Sequence, residues 1–214
     1  MRILLADNHA LGRDVLKRLL GQTFKDVEFG EAEDNQQAIN AALAQPWDLI
    51  MLEIAMSGGS LEVLKKIHAA RPGIPVLIVS RQAGQSFLTR VIQAGAAGYL
   101  DKTSTIHDLI EAVRQVLSGK RYINQTLVEQ WASTLDNTVR NRLDEQLSDR
   151  EFAVMLRIAS GRQVSEIASD MRLSVSSIAT YRSRILKKLK MLTNVDLMRY
   201  AIQHQLVECG MPSY

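Results

Sequence analysis

Short apolar runs alternate with amphipathic stretches through the first half of the chain. The run at Pro75–Ser80 is nearly all aliphatic, which is typical of a strand that is buried on both faces. Between the runs, apolar residues recur at helical spacing. The pattern predicts strands over Arg2–Ala6, Val27–Phe29, Leu49–Leu52, Pro75–Ser80 and Ala97–Leu100, and helices over Leu11–Leu20, Asn35–Ala44, Leu61–Ala70, Phe87–Ala94 and Ile106–Ser118.

Five strands that alternate with helices predict a parallel sheet, because each parallel pair needs a long crossover connection. Right-handed crossovers place helices on both faces, so the predicted fold class is an α/β doubly wound, five-stranded parallel sheet. We assign this domain to residues 1–119. Ligands of such sheets bind at the carboxyl ends of the strands, so the residues that follow the strands matter most for function.

Polar residues stand at the ends of four predicted strands. Asp7 and Asn8 follow the first strand, Glu53 follows the third, Ser80 ends the fourth and Lys102 comes after the fifth. Carboxylate oxygens suit a hard cation such as Mg²⁺, and hydroxyl and ammonium groups donate hydrogen bonds to phosphate oxygens. This edge of the sheet therefore has the chemistry to bind a divalent cation and a phosphoryl group.

Residues 146–210 contain helical patterns and predict a small all-α domain. Ser148 and Glu151 form a capping box, S-x-x-E, so a helix begins near Asp149. A second helix is predicted at Val164–Met171, and a tight turn leads from it to a basic helix. Two helices joined by a short turn, the second one basic, form the helix-turn-helix arrangement, which binds the major groove of DNA.

The basic helix extends to Lys190, and Ser174 or Ser176 can cap its N-terminus. It holds five cations and no acid between Ser174 and Lys190. A cationic run alone is more often a solvated face, so the helix in front of it is what favours DNA binding. A last amphipathic helix is predicted over Asn194–Leu206, with Thr193 as its cap.

Residues 120–145 are predicted to be a partly helical linker between the two domains. Apolar spacing over Gln125–Leu135 predicts a helix, and Trp131 is expected to pack against one of the domains. The remaining segment, Asp136–Glu145, is polar and is expected to be mobile.

Charge is distributed unevenly along the 214 residues. Residues 146–210 contain ten Lys and Arg and six Asp and Glu, a net charge of +4, so the remainder carries −1 of the total of +3. This asymmetry places a nucleic-acid partner on the C-terminal domain. With no apolar run of 18 residues, no signal-peptide pattern and a single cysteine, Cys209, we expect a cytoplasmic protein without a membrane span or a disulfide.

The N-terminal motifs resemble those of the response-regulator receiver domain. They are L-A-D before Asn8, D-L-I-x-L-E-x-x-M around Glu53, V-S at Ser80 and G-Y-L-x-K ending at Lys102. The resemblance implies that Glu53 stands at the phosphoacceptor position. It also implies that Ser80, Tyr99 and Lys102 are switch positions and that a vestigial metal site consists of Asp7, Asn8 and Glu53.

The C-terminal motifs resemble the LuxR-type helix-turn-helix domain over Leu147–Glu208. They are L-S-x-R-E, A-x-G, E-I-A, L-x-V-S and T-x-R-S-x-I-L-x-K-L. Together the two resemblances imply an atypical response regulator of the FixJ and NarL type, from a two-component system, which binds paired DNA half-sites as a homodimer. Family base contacts fall on Ala179, Thr180 and Ser183. The full set of predicted DNA-binding residues is Ser176, Ser177, Ala179, Thr180, Arg182, Ser183, Arg184, Lys187 and Lys188.

Several departures from the receiver pattern predict a degenerate receiver. The phosphoacceptor aspartate is Glu53, the second acid is Asn8, and the loop that begins at Ser57 is one residue short. An extra methylene moves the carboxylate by about 1.5 Å, away from in-line attack on phosphorus. Asn8 removes one charge from the cation site, so we expect no cofactor and at most weak Mg²⁺ binding. Glu53 is then either an inert partner of Lys102 or a partial phosphoryl mimic, with a charge of about −1 against about −2.

These features predict a DNA-binding transcription regulator that is dimeric, independent of phosphorylation and not an enzyme. The resemblance implies a dimer surface formed by the fourth helix, the fifth strand and the fifth helix, which includes Phe87, Val91 and Ile92; that face or the last helix is expected to dimerise. One alternative is a conventional response regulator that is switched by phosphorylation. Another is a protein-interaction adaptor with weak DNA binding, which Ser176 and Ala179 favour because family members often carry lysine there. The sequence does not identify a sensor kinase.

Overall fold

The computed structural model of the chain describes residues 1–54, 56, 60–80, 85–124, 143–204 and 206–207. Contacts divide the chain into two compact units, one built around a parallel sheet and the other made of helices. The predicted linker helix over Gln125–Leu135, the loop at Ser57 and the cysteine Cys209 lie outside the described residues.

The first unit contains a six-stranded parallel sheet in the order β2-β1-β3-β4-β5-β6. This order, with helices between successive strands, confirms the α/β doubly wound fold class. The strands are β1 Arg2–Ala6, β2 Glu28–Ala32, β3 Leu49–Leu52, β4 Val76–Ser80, β5 Gly98–Asp101 and β6 Tyr122–Ile123, and the helices are α1 Ala10–Thr23, α2 Asn35–Ala44, α3 Ser60–Ala70, α4 Gln85–Gln93 and α5 Ile106–Leu117.

The central strands are aliphatic because helices cover both faces of the sheet. Every residue of β3 and β4 is buried. On one face, Leu20 of α1 and Val113 of α5 pack with Ile3 and Leu5 of β1. The edge strand β2 is more polar, which explains why sequence analysis placed it at Val27–Phe29, too early and too short.

The sixth strand, β6, corrects the prediction of five strands, since it lies in the predicted linker. Tyr122 pairs with Gly98 of β5. A Cβ atom on Gly98 would lie 2.9 Å from the Tyr122 carbonyl oxygen, so a residue without a side chain is needed for this close pairing. A strand of two residues is too short to give an alternating pattern, which is why sequence analysis missed it.

The second unit contains a 3-10 helix at Leu143–Gln146 followed by four α-helices. The capping box of Ser148 and Glu151, the Ser174 cap and the Thr193 cap are all present. Gly161 follows the first of these α-helices with a φ of +79°, as expected for a residue that ends a helix. The helices are α6 Asp149–Ala159, α7 Val164–Met171, α8 Val175–Leu189 and α9 Asn194–Gln203.

Two predictions at the edges of this unit need correction. The last helix ends at Gln203 and not at Leu206. The end of the polar segment that was expected to be mobile is ordered, because Asp144 is completely buried and its carboxylate accepts a hydrogen bond from the Tyr200 hydroxyl. The Asp144 backbone N–H donates to the same hydroxyl oxygen at 3.3 Å, so two hydrogen bonds fasten the 3-10 helix to α9. Within the described parts of the chain, no helix is long and apolar enough to cross a bilayer.

Candidate acidic site and nucleic-acid interface

Three of the predicted site residues meet at the carboxyl ends of the strands. Asp7 follows β1 and Glu53 follows the adjacent strand β3, while Lys102 follows β5. The Lys102 ammonium nitrogen lies 2.6 Å from Asp7 Oδ2 and 2.5 Å from Glu53 Oε2. We call these three residues the strand-edge cluster. Two carboxyl groups therefore share one ammonium group.

Burial and ion pairing act in opposite directions within this cluster. Asp7 and Glu53 are each 4% exposed. Burial alone would raise the pKa of Asp7, but hydrogen bonds from Lys102 and His9 outweigh it and lower that pKa. Burial would lower the pKa of Lys102, but its hydrogen bonds to Asp7 and Glu53 raise it. The structure therefore favours a charged Asp7 and a charged Lys102 at neutral pH.

Asp7 is held from several sides. Its Oδ1 accepts a hydrogen bond from the His9 backbone N–H at 2.8 Å and lies 3.1 Å from His9 Nδ1. Its backbone carbonyl accepts a hydrogen bond from the buried Arg13 guanidinium at 2.6 Å, and Arg13 also pairs with Glu31 and Glu33. Sequence analysis missed Arg13, although a cation one turn after His9 in the apolar pattern of α1 was an available signal.

The donor set does not fit Mg²⁺ well. Asp7 and Glu53 each direct one oxygen at the Lys102 ammonium, so these two oxygens already have a cationic partner. Asn8 is exposed at the surface and supplies no charge. Among the residues that the structure describes, no three His, Cys, Asp or Glu side chains are grouped to hold a metal ion.

Ser80 and Tyr99 lie behind the strand-edge cluster. Both side chains are completely buried. The Tyr99 hydroxyl donates to the Ser80 backbone carbonyl at 3.2 Å. Burial, together with the carboxylates of Asp101 and Glu53, raises the pKa of Tyr99, so its hydroxyl stays protonated.

Helix α8 has one buried face and one exposed face, as a recognition helix requires. Ile178, Ile185, Leu186 and Leu189 are buried. The exposed face carries Ser176, Ala179, Thr180, Ser183, Arg184 and Lys187. The sequence pattern thus separates the residues that hold the helix from those that can meet a ligand.

Two of the predicted DNA-binding cations make contacts inside the unit. Lys188 Nζ lies 2.6 Å from Glu151 Oε2 and donates to the Gln146 carbonyl at 3.3 Å. Arg182 Nε donates to Asn194 Oδ1 at 2.6 Å. Their assignment to DNA stays a prediction, and both side chains also join α8 to neighbouring elements. On the fourth helix, Val91 is buried and Ile92 is half-buried, and the dimer surface there stays a prediction.

The sequence matches two protein families in chain order. Residues 3–114 match the response regulator receiver domain, and residues 145–201 match the bacterial regulatory proteins of the luxR family. The chain therefore belongs to the response regulators that combine a receiver domain with a LuxR-type helix-turn-helix domain. Members of this family regulate transcription and are not enzymes.

Individual relatives agree with this assignment. Response regulator GacA of Pseudomonas aeruginosa is 31% identical over 212 residues, covering 98% of this chain and 99% of that protein. Response regulator UvrY of Escherichia coli K12 is 32% identical over 209 residues, covering 96% and 95%. A structure of the RcsB response regulator of Salmonella typhimurium has a TM-score of 0.72 at 20% identity, covering 94% and 96%, which supports the fold.

Proposed function

We propose that this response regulator binds promoter DNA as a homodimer in the cytoplasm and does so without phosphorylation of its receiver. The buried contact between Glu53 and Lys102 carries the second part of the proposal. DNA binding rests on family membership and on the exposed, basic face of α8. RcsB from Salmonella enterica serovar Typhimurium has been solved bound to the promoter rprA, and this chain has the same fold at 21% identity.

Phosphoryl transfer needs an acceptor oxygen that is accessible and aligned with the donor. Glu53 is 4% exposed and one of its oxygens is 2.5 Å from the Lys102 ammonium. The additional methylene lets the carboxylate reach the lysine. Glu53 therefore occupies the contact with Lys102 that a phosphoryl group would otherwise make. Glu53 thus gives the receiver a degenerate acceptor site, because its carboxylate is buried and already in contact with Lys102.

Dimerisation is supported by apolar side chains on α9. Val195, Met198 and Ile202 are 62%, 37% and 36% exposed, and their spacing places them on one face of the helix. A second copy of the same helix would bury this stripe symmetrically. Changing Met198 to Asp is expected to shift the protein from dimer to monomer in sedimentation velocity. A dimer that persists unchanged would rule out α9 as the interface.

The deciding experiment is capture of genomic DNA fragments by the purified full-length protein, with and without acetyl phosphate and Mg²⁺. The salt concentration is held constant because phosphate contacts make affinity steeply salt-dependent. Enrichment of the same fragments in both arms supports the proposal. Enrichment only with the phosphodonor would mean a conventional switch. The adaptor alternative, which Ser176 and Ala179 favour, would be supported if neither arm enriched any fragment.

The role of Glu53 is tested by footprinting the Glu53→Ala variant on the same fragments. A weaker footprint would mean that the Glu53 carboxylate acts as a partial phosphoryl mimic, because its negative charge lies permanently beside Lys102. An unchanged footprint would mean that Glu53 is an inert part of the scaffold. Glu28→Ala, at an exposed acid on β2, is the matched control.

A further inference from the structure

The exposed face of α8 is short and rich in methyl groups over its first turns. Val175 is 54% exposed, and Ala179 and Thr180 are exposed beside it. Residues 175 and 179 are four apart, so they lie on the same side of the helix, with Thr180 adjacent. We call Val175, Ala179 and Thr180 the methyl patch.

Hydroxyl groups around the methyl patch make hydrogen bonds within the helix. Thr180 Oγ1 donates to the Ser176 carbonyl at 2.9 Å, and a hydroxyl has one hydrogen to donate. Ser174 Oγ lies 2.9 Å from Ser176 Oγ and 2.8 Å from Ser177 Oγ, while it accepts the Ser177 backbone N–H at 3.1 Å. With the Thr180 oxygen turned back to the helix, its methyl group is the part of the side chain left for outside contact.

Long side chains that read bases by paired hydrogen bonds do not occur between Val175 and Tyr181. Guanine is read by Arg or Lys and adenine by Asn or Gln. Between Val175 and Ser183 the sequence contains one residue of these types, Arg182, and its guanidinium is bonded to Asn194. Arg184 and Lys187 lie further along the helix, where cations suit phosphate contacts.

We propose that the methyl patch reads the 5-methyl groups of thymine, so that each half-site is specified by A·T pairs opposite the start of α8. Thymine is distinguished in the major groove by this methyl group, and small apolar side chains are what contact it. Short side chains also let the helix backbone approach the base edges closely, which the methyl contact requires. This inference rests on the proposed function, since it assumes that α8 binds the major groove.

The test uses the full-length protein and two steps at one fixed salt concentration. Duplexes are first selected from a random-sequence pool by binding. In the selected duplex, each thymine is then replaced in turn by deoxyuridine, which removes the 5-methyl group and leaves every hydrogen-bonding group in place. We expect about a fourfold loss of affinity at one or two positions in each half-site, the factor that corresponds to burying one methyl group.

Protein variants assign the contact to a residue. Thr180→Ser keeps the hydroxyl and its bond to the Ser176 carbonyl but removes the methyl group. It should bind the thymine duplex about fourfold more weakly and abolish the preference over deoxyuridine at one position. Lys187→Ala is the control, because loss of a phosphate contact should weaken binding to both duplexes equally.

The outcomes separate the two proposals. Equal affinity for thymine and deoxyuridine at every position of a selected duplex would overturn the methyl-reading inference and leave DNA binding intact. A Thr180→Ser variant that keeps the full thymine preference at every position would remove Thr180 from the patch. Failure to select any sequence would overturn sequence-specific DNA binding, and this inference with it.

Discussion

Each unit of the protein contains a buried glutamate that is paired with a lysine, and the two pairs differ in what surrounds them. Glu151 accepts hydrogen bonds from Lys188 and from the Ser148 backbone N–H in a capping box. Glu53 shares its lysine with a second carboxylate, Asp7, at the ends of the strands. The first pair is explained by helix capping alone. The second has no such local explanation, which makes it the candidate remnant of a functional site.

The exposure of the two lysines agrees with this distinction. Burial opposes ionisation of Glu151, but the bonds from Lys188 and Ser148 outweigh burial and lower its pKa. The capping box of α6 thus contains a charged glutamate, and its partner Lys188 has a side chain that is 40% exposed. In the strand-edge cluster the lysine is 22% exposed, so removing its charge should be costlier there.

The largest expected effect comes from changing Lys102 to Met. This change leaves the buried carboxyl groups of Asp7 and Glu53 facing each other without a cation, and breaking a buried ion pair costs about 3 kcal/mol or more. We expect the free energy of unfolding of the first unit to fall by about this amount in urea titrations. Lys25→Met, at an exposed lysine, should change it by about 0.5 kcal/mol or less.

A Lys102→Met protein with undiminished stability would instead mean that one of the two carboxyl groups takes up a proton at little cost. The strand-edge cluster would then depend on its lysine no more than the Glu151–Lys188 pair does.

Changing Glu151 to Ala should have the next largest effect. It removes the Glu151 half of the capping box and the partner of Lys188 while the Ser148 cap stays, and we expect the second unit to be destabilised by about 1–2 kcal/mol. Glu145→Ala, at an exposed acid three residues before Ser148, is the control and should be close to neutral. Thermal unfolding monitored by circular dichroism measures both, and equal effects of the two variants would contradict a specific role for the Glu151–Lys188 pair.

The pH dependence of stability should distinguish the two units. A lysine whose folded-state pKa is raised contributes stability below its ordinary pKa of 10.5, and this contribution is lost as the pH rises through the folded-state value. The first unit should therefore lose stability in alkaline solution through Lys102. Glu151, whose pKa is lowered, contributes stability above its ordinary 4.5 that is lost as the pH falls through its folded-state value.

Amide hydrogen exchange at several pH values measures the stability of each unit separately. If Lys102→Met leaves the alkaline loss in the first unit unchanged, other groups must cause it.

The smallest expected effect concerns Arg182 and Asn194. Their hydrogen bond is exposed, so each single change to Ala should cost about 0.5–1 kcal/mol, and the double change should cost no more than the larger single one. A double-mutant cycle on thermal stability measures this coupling. Fully additive effects would mean that the hydrogen bond between Arg182 and Asn194 does not contribute to stability.

The fold followed from the sequence where a pattern extended over many residues. β1, β3, α2 and α7 have the predicted bounds because their burial follows directly from apolar spacing. The short strand β6 and the polar strand β2 were missed or misplaced, because their formation depends on neighbouring strands and not on their own pattern.

The sequence predicted which residues belong to the candidate sites, but it did not predict which of their side chains contact one another. Convergence of Asp7, Glu53 and Lys102 followed from strand order. The buried Arg13 instead depends on Glu31 of β2 and Glu33 just after it, which are distant from it in sequence. The involvement of Lys188 and Arg182 in packing was equally hidden, since a helix pattern does not indicate which cations meet acids or amides of other helices.

The hydrogen bonds between Asp144 and Tyr200 have a consequence for where the chain can be cut. A fragment that starts at Ser148, the first residue of the capping box, would still contain all four α-helices of the second unit. It would nevertheless lack the carboxylate that receives the Tyr200 hydroxyl, and limited proteolysis should degrade it faster than a fragment that starts at Leu143. The smallest autonomous C-terminal piece is therefore expected to include the 3-10 helix.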